Sequence, residues 1–223
     1  MFGHIAGVYD FLNHFLSLGL DLYWRRQLAK LVKPGKKNVV ADLAAGTLDV
    51  SLAVLREHPG LLIPAIDFCE PMLAKGLRKL KNKAQWHIFP CVGNALQLPL
   101  ADNSVDSVTM AFGIRNIRPR PDAFQEMLRV LAPGGRACIL EFGSGKEKIW
   151  GGIYNIYLNH LLPRLGRLAA HGDTAYYYLA DTIREFPAAN ILADEMRQCG
   201  FENVQWRRLT SGITCLHWGE KPA

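Results

Sequence analysis

The chain has no cysteine pair at the spacing of a zinc site or a dithiol motif. Its five cysteines, Cys69, Cys91, Cys138, Cys199 and Cys215, are odd in number and scattered, which argues against a disulfide framework and fits a reducing, cytoplasmic compartment. It also lacks a long apolar run. The uncharged stretch 149–163 falls short of the roughly 20 residues a membrane helix needs. No basic segment precedes the first apolar residues, and Asp10, Asn13, His14 and Asp21 interrupt them, so neither a signal peptide nor a span is expected. Internal repeats, low-complexity segments and a strict G-x-G-x-G turn are missing as well. The basic excess, +6 with a pI near 9.1, is spread along the chain without interleaved aromatics. A solvated basic surface or an anionic membrane face therefore stands ahead of nucleic acid.

What is present is a core: 223 residues at 49% hydrophobic content fit one globular domain. Apolar, β-branched runs alternate with amphipathic segments, the pattern of a βαβ sheet with helices on both faces. Strands are predicted over 38–43, 61–66, 86–92, 105–112 and 136–142, and helices over 48–57, 71–81 and 121–131. A helical stretch over 149–186, a helix over 188–199 and a hairpin of strands 201–209 and 213–218 complete the chain. The fold class is α/β, a doubly wound, mostly parallel sheet with an antiparallel C-terminal edge strand. A single domain spans 1–223, with an N-terminal helical segment 1–34 and a helical lid insertion 149–186.

Small residues after the first strand, in Asp42-Leu-Ala-Ala-Gly46-Thr47-Leu48-Asp49, let backbone N–H groups approach a ligand at a helix start. Asp67 lies 21 residues beyond Gly46 at the end of the second strand, where an acid accepts hydrogen bonds from ribose hydroxyls. Gly93, Asn94 and Ala95 end the third strand, where an amide addresses an adenine edge. Each has a plainer alternative: an ordinary tight turn, a helix cap and a turn-forming asparagine. Arg115 and Asn116, in AFGIRN after the fourth strand, are costly to bury without a ligand that needs donors. A nicotinamide dinucleotide and S-adenosylmethionine both suit such a site; the terminal hairpin favours the latter by fold analogy.

From Phe2 to Pro222 the chain resembles the ubiquinone/menaquinone biosynthesis C-methyltransferase family, within the class I (Rossmann-like) S-adenosylmethionine-dependent methyltransferases. The likeness is carried by FGHIAGVYDFLNHFLSLGLDLYWRR, DLAAGTLD, DFCEPML, GNALQLPLADNSVD, AFGIRNI, RVLAPGGRACILEF, YYYLADTIREFP and LTSGITCLHWGEKP. The opening segment and AFGIRN are more specific than the cofactor turn. The resemblance implies C-methylation of a polyprenylated benzoquinol or naphthoquinol. It implies cofactor contacts from Gly46 and Thr47 at the methionine end, Asp67 at the ribose, Asn94 and Ala95 at the adenine, and the Ala111 position. Tyr9, Asp10, Asn13, Arg115 and Asn116 match positions facing the substrate, and 149–186 forms part of a lid.

An activated sulfonium methyl leaves the enzyme to align an in-line attack and exclude water, with no metal. A ring carbon becomes nucleophilic as an adjacent hydroxyl gives up its proton, so a developing oxyanion must be held. Arg115 suits that role as a permanent cation and is a poor base; a structural ion pair is the alternative, and for Tyr9, lid packing. His14, His160 and His171 have no partner identifiable in sequence, and His160 lies in an apolar helical stretch that suits core packing or an isoprenoid groove. The chain departs from the family at Leu48 (usually glycine), Asp21 (histidine), Ala111 (serine) and Gly143 (serine). If position 48 requires positive φ, leucine costs roughly 1 kcal/mol or more and reshapes the turn. Other readings are a methyltransferase on another lipophilic or aromatic acceptor and a non-catalytic cofactor-binding scaffold. Transient docking at the inner face of a membrane is expected; oligomeric state stays open.

Overall fold

A computed structural model describes residues 17, 19–80, 84, 86–143, 182 and 185–223. Tyr9, Asp10, Asn13, His14, His160, His171 and nearly all of the expected lid lie outside the described residues.

Seven strands form one sheet: β1 (Val40–Leu43), β2 (Ile63–Asp67), β3 (Ile88–Val92), β4 (Val105–Ala111), β5 (Leu131–Phe142), β6 (Glu202–Leu209) and β7 (Thr214–Glu220). Their spatial order is β3-β2-β1-β4-β5-β7-β6. The first five pair in parallel, whereas β7 runs antiparallel to both β5 and β6. The antiparallel strand is thus second from the edge, and β6 is outermost.

The α-helices among the described residues are α1 (Leu20–Ala29), α2 (Asp49–Glu57), α3 (Glu70–Leu77), α4 (Arg120–Val130) and α5 (Ala189–Gln198). Strand alternation sends residues to two faces. Ala41 and Leu43 of β1 and Ala137 and Ile139 of β5 join a cluster with Phe124 and Met127 of α4 and Leu192 and Met196 of α5. Val40, Cys138 and Leu140 join the other, with Trp24 and Leu28 of α1, Val54 of α2 and Leu73 of α3. The sheet is therefore covered on both sides, as the near-continuous burial of β1 and β4 requires.

The expected strand over 136–142 is the regular part of β5. Val105 pairs with Leu131, but Ser107 already pairs with Arg136, so the residues between form a bulge that reads in sequence as a turn because of Pro133, Gly134 and Gly135. On the edge strand β3, His87 offers its carbonyl to the Ile63 N–H and Gly93 donates to the Asp67 carbonyl. Alternation then puts Pro90 on the open side, where a missing N–H discourages further pairing. No helix among the described residues is long and apolar enough to cross a membrane.

Candidate active site

A cleft of about 360 Å³ opens at the carboxyl ends of β1, β2 and β4, where parallel α/β sheets bind ligands because the chain reverses there. The turns after those strands wall it, together with Gly93 to Leu96 beyond β3 and Arg25 of α1.

The turn after β1 is tightly wound: Ala44, Gly46 and Leu48 have φ of 50°, 52° and 67°. Position 48 does take the left-handed conformation, and Leu48 is fully buried. The conformation costs an L-residue roughly 1–2 kcal/mol, against roughly 1.5–3 kcal/mol gained by burying the side chain. Gly76 of α3 makes room, since a Cβ there would stand 2.6 Å from Leu48 Cγ. Ala44 has a similar neighbour: a Cβ on Gly113 would lie 2.6 Å from Ala44 Cβ. The β1 and β4 turns touch because Gly113 lacks one.

Asp67 joins the β1 and β2 turns. Its Oδ2 accepts the Gly46 N–H at 2.7 Å and its Oδ1 the Cys69 N–H at 2.7 Å. Each carboxylate oxygen carries two acceptor sites, so capacity for vicinal hydroxyls remains. Behind the turn, buried Asp42 accepts hydroxyl hydrogen bonds from Ser51 (2.5 Å) and Thr109 (3.0 Å). Burial pushes its pKa up to about 6, only partly opposed by those donors.

Of the expected cofactor residues, Gly46, Thr47, Asp67, Asn94, Ala95 and Ala111 all line this cleft. The Asn94 Oδ1 accepts the Leu96 N–H at 3.0 Å, so that oxygen shapes the turn and the side-chain amide N–H groups are its remaining donors. Asn116 also lines the cleft, in the helical turn Ile114–Asn116.

Arg115 does not reach the cleft surface formed by the described residues. Its Nη1 donates to Glu141 Oε1 at 2.7 Å and to the Phe112 carbonyl at 2.6 Å, with both ionic side chains buried. Glu141 further accepts the backbone N–H groups of Arg115 (3.3 Å) and Phe142 (2.9 Å), and the guanidinium lies 5.5 Å from the Phe142 ring centroid. Among the described residues, the buried Arg115 Nε has no hydrogen-bond partner. This is the ion-pair alternative. It fastens the wall behind the cleft, including Phe112, a bulky residue held at φ 56°.

Sequence reasoning missed Arg25, Asp49, Phe68, Phe112 and Arg118, which also line the cleft. Arg25 stands in the quoted DLYWRR run and Phe112 in AFGIRN, but one chain gives no sign of which side chains turn inward. Glu141 was legible in principle, as an acid inside an apolar strand. No cluster of three or more potential metal ligands exists among the described residues.

The cleft fits a nucleoside joined to a short charged arm: an acceptor pair at Asp67, small residues against the backbone, and opposite charges at Arg25 and Asp49. The model of the ubiE/COQ5 methyltransferase family matches residues 1–221. The ubiquinone/menaquinone biosynthesis C-methyltransferase of Geobacter sulfurreducens is 40% identical over 227 residues, covering 99% of this chain and 87% of the relative. The demethylmenaquinone methyltransferase of Thermus thermophilus is 39% identical over 222 residues and is covered, like this chain, completely. In fold, an S-adenosylmethionine-dependent methyltransferase from Thermotoga maritima superposes with a TM-score of 0.69 at 18% identity, over 99% of this chain and 97% of that one. Phosphoethanolamine N-methyltransferase 2 of Haemonchus contortus, solved with S-adenosyl-L-methionine, gives 0.66 at 14% identity over 96% and 60%. The chain belongs to the ubiE/COQ5 methyltransferase family and is an S-adenosylmethionine-dependent methyltransferase.

Proposed function

We propose that the protein transfers a methyl group to a ring carbon of a polyprenylated quinol, completing a respiratory quinone. The observation that carries this reading is one continuous cleft running from Asp67 and the β1 turn to Asn116 in AFGIRN, in a chain that matches the family over residues 1–221. The names of the Geobacter and Thermus relatives supply the acceptor class, and the Thermus name favours a naphthoquinol ring.

When bound, S-adenosylmethionine supplies a methyl group already activated on sulfonium. The chain's tasks are then to orient two reactants and keep water out. In this reading Asp67 receives the ribose hydroxyls, and Asn94 and Ala95 border the adenine. Gly46, Thr47 and Ala111 line the path to the reacting end. Asn116 is the group assigned to the acceptor oxygen, where a side-chain amide donor stabilises negative charge as it develops. The cation Arg118, which also lines the cleft and is held at the AFGIRN end, favours the same charge. Tyr9, Asp10 and Asn13 are assigned to the acceptor side by motif alone.

Arg115 acts in this proposal as a positioning residue. Its bonds to Glu141 and the Phe112 carbonyl fix the turn that presents Asn116, so the developing charge is met by a pre-organised loop. A lipid-tailed acceptor also places the enzyme peripherally at the cytoplasmic face of a membrane, where its basic surface favours anionic lipid.

The test uses isotopically labelled methyl donor with reduced and oxidised short-chain naphthoquinone and benzoquinone acceptors. Label in one reduced acceptor and in no oxidised one supports the reading and names the ring. Donor binding with transfer only to an unrelated aromatic acceptor replaces it.

A further inference from the structure

We infer that Arg25 and Asp49 form a receptor for the amino-acid head of the methyl donor. Arg25 takes its carboxylate and Asp49 its ammonium.

Among the described residues two cations line the cleft, Arg25 and Arg118. Arg118 Nη1 donates to the carbonyls of Arg115 and Ile117, which keeps it at the AFGIRN end. Arg25 is therefore the cleft-lining cation at the β1 turn, beside Gly46, Thr47 and Asp49. It is held from several sides. Its Nη1 pairs with Asp21 one helical turn earlier, its guanidinium lies 5.7 Å from the Phe112 ring centroid, and the residue is only 7% exposed. A long side chain so fixed loses little entropy when it binds.

Asp49 opens α2 and is fixed as well. Lys79 Nζ donates to its Oδ1 at 2.7 Å and the Thr47 hydroxyl to its Oδ2 at 3.4 Å. Arg25 Nη2 stands 3.9 Å from Asp49 Oδ2, an ion pair too long to be a hydrogen bond. That gap suits a zwitterion. A carboxylate on Nη2 and an ammonium on Oδ2, each at about 2.8 Å, close a ring of alternating charge with the existing pair. The N-terminus of α2 adds partial positive charge for the carboxylate. Neither of two like charges would do this, nor would a pair already in hydrogen-bonded contact.

The inference rests on the cleft being the donor site, as proposed above, and three ligands separate the two ideas. S-Adenosylhomocysteine carries the whole head, its decarboxylated analogue lacks the carboxylate, and 5′-methylthioadenosine lacks the head entirely. Calorimetric affinities are measured on the full chain and on Arg25→Gln, Asp49→Asn and Asp67→Ala. Arg25→Gln should weaken S-adenosylhomocysteine by about ten- to a hundredfold, the effect of removing a charged hydrogen-bond partner, and leave methylthioadenosine within about twofold. Wild-type protein should prefer the full head to the decarboxylated one by a similar factor, and Arg25→Gln should erase that preference. Asp49→Asn should likewise spare methylthioadenosine, while Asp67→Ala should weaken both nucleosides. Equal losses for both ligands in Arg25→Gln, or no wild-type preference for the carboxylate, overturn the receptor. Retained affinity for both in Asp67→Ala overturns instead the placement of the donor in the cleft.

Discussion

Arg115 and Glu141 meet at 2.7 Å with their side chains almost wholly out of water. Glu141 belongs to β5 and Arg115 to the turn after β4, so the bond ties a loop that walls the cleft to the sheet. Such a pair adds little net stability over an apolar pair, but losing one partner strands the other's charge.

Arg115→Ala should destabilise the fold by roughly 3–5 kcal/mol, measured by urea unfolding. Arg115→Met combined with Glu141→Gln should recover part of that loss. A double variant no more stable than Arg115→Ala would mean that the ion pair is not what the single change breaks.

Leu48→Gly should also destabilise. It relieves the left-handed strain at φ 67°, worth roughly 1–2 kcal/mol, but empties a buried leucine site, worth roughly 2–5 kcal/mol by comparison with leucine-to-alanine changes. A net loss of stability in urea unfolding is expected. A gain would show that turn strain outweighs packing.

Asp42 gives the stability a pH dependence. Burial raises its carboxyl from the ordinary 3.8 to about 6, so the folded protein holds this proton more tightly than the unfolded chain. The stability it contributes is fully present below pH 3.8 and is lost as pH rises through about 6. Between pH 4 and pH 7, wild type should lose roughly 2 kcal/mol relative to Asp42→Asn. Parallel pH profiles for the two proteins would contradict the assigned cause.

Much of the sheet was legible because strand alternation and small-residue turns are local properties. Val105–Ala111 and Ile63–Asp67 stand out as apolar runs, and Asp67 sits where its spacing from Gly46 suggests. The role of Arg115 was not legible. Its direction depends on Glu141, 26 residues away, and on a turn whose conformation no short pattern specifies. Leu48 teaches the same lesson: the departure from glycine was visible, while the space supplied by Gly76 appears only once α3 is packed on the turn.

Asp67→Ala should weaken S-adenosylmethionine by about ten- to a hundredfold in calorimetry, the scale of losing hydrogen bonds to a charged acceptor. The variant also frees the Gly46 and Cys69 N–H groups, so urea unfolding should accompany the titration. Unchanged donor affinity in a folded variant would place the ribose elsewhere.

Where the methyl group lands decides whether the protein is a quinol C-methyltransferase. Labelled donor and a reduced, short-tailed demethylmenaquinol are incubated with the wild-type protein, and the product is mapped by carbon NMR. Label bonded to a ring carbon is the expected result. Label on a ring oxygen, or donor bound in the cleft with no label reaching any quinol, would contradict it.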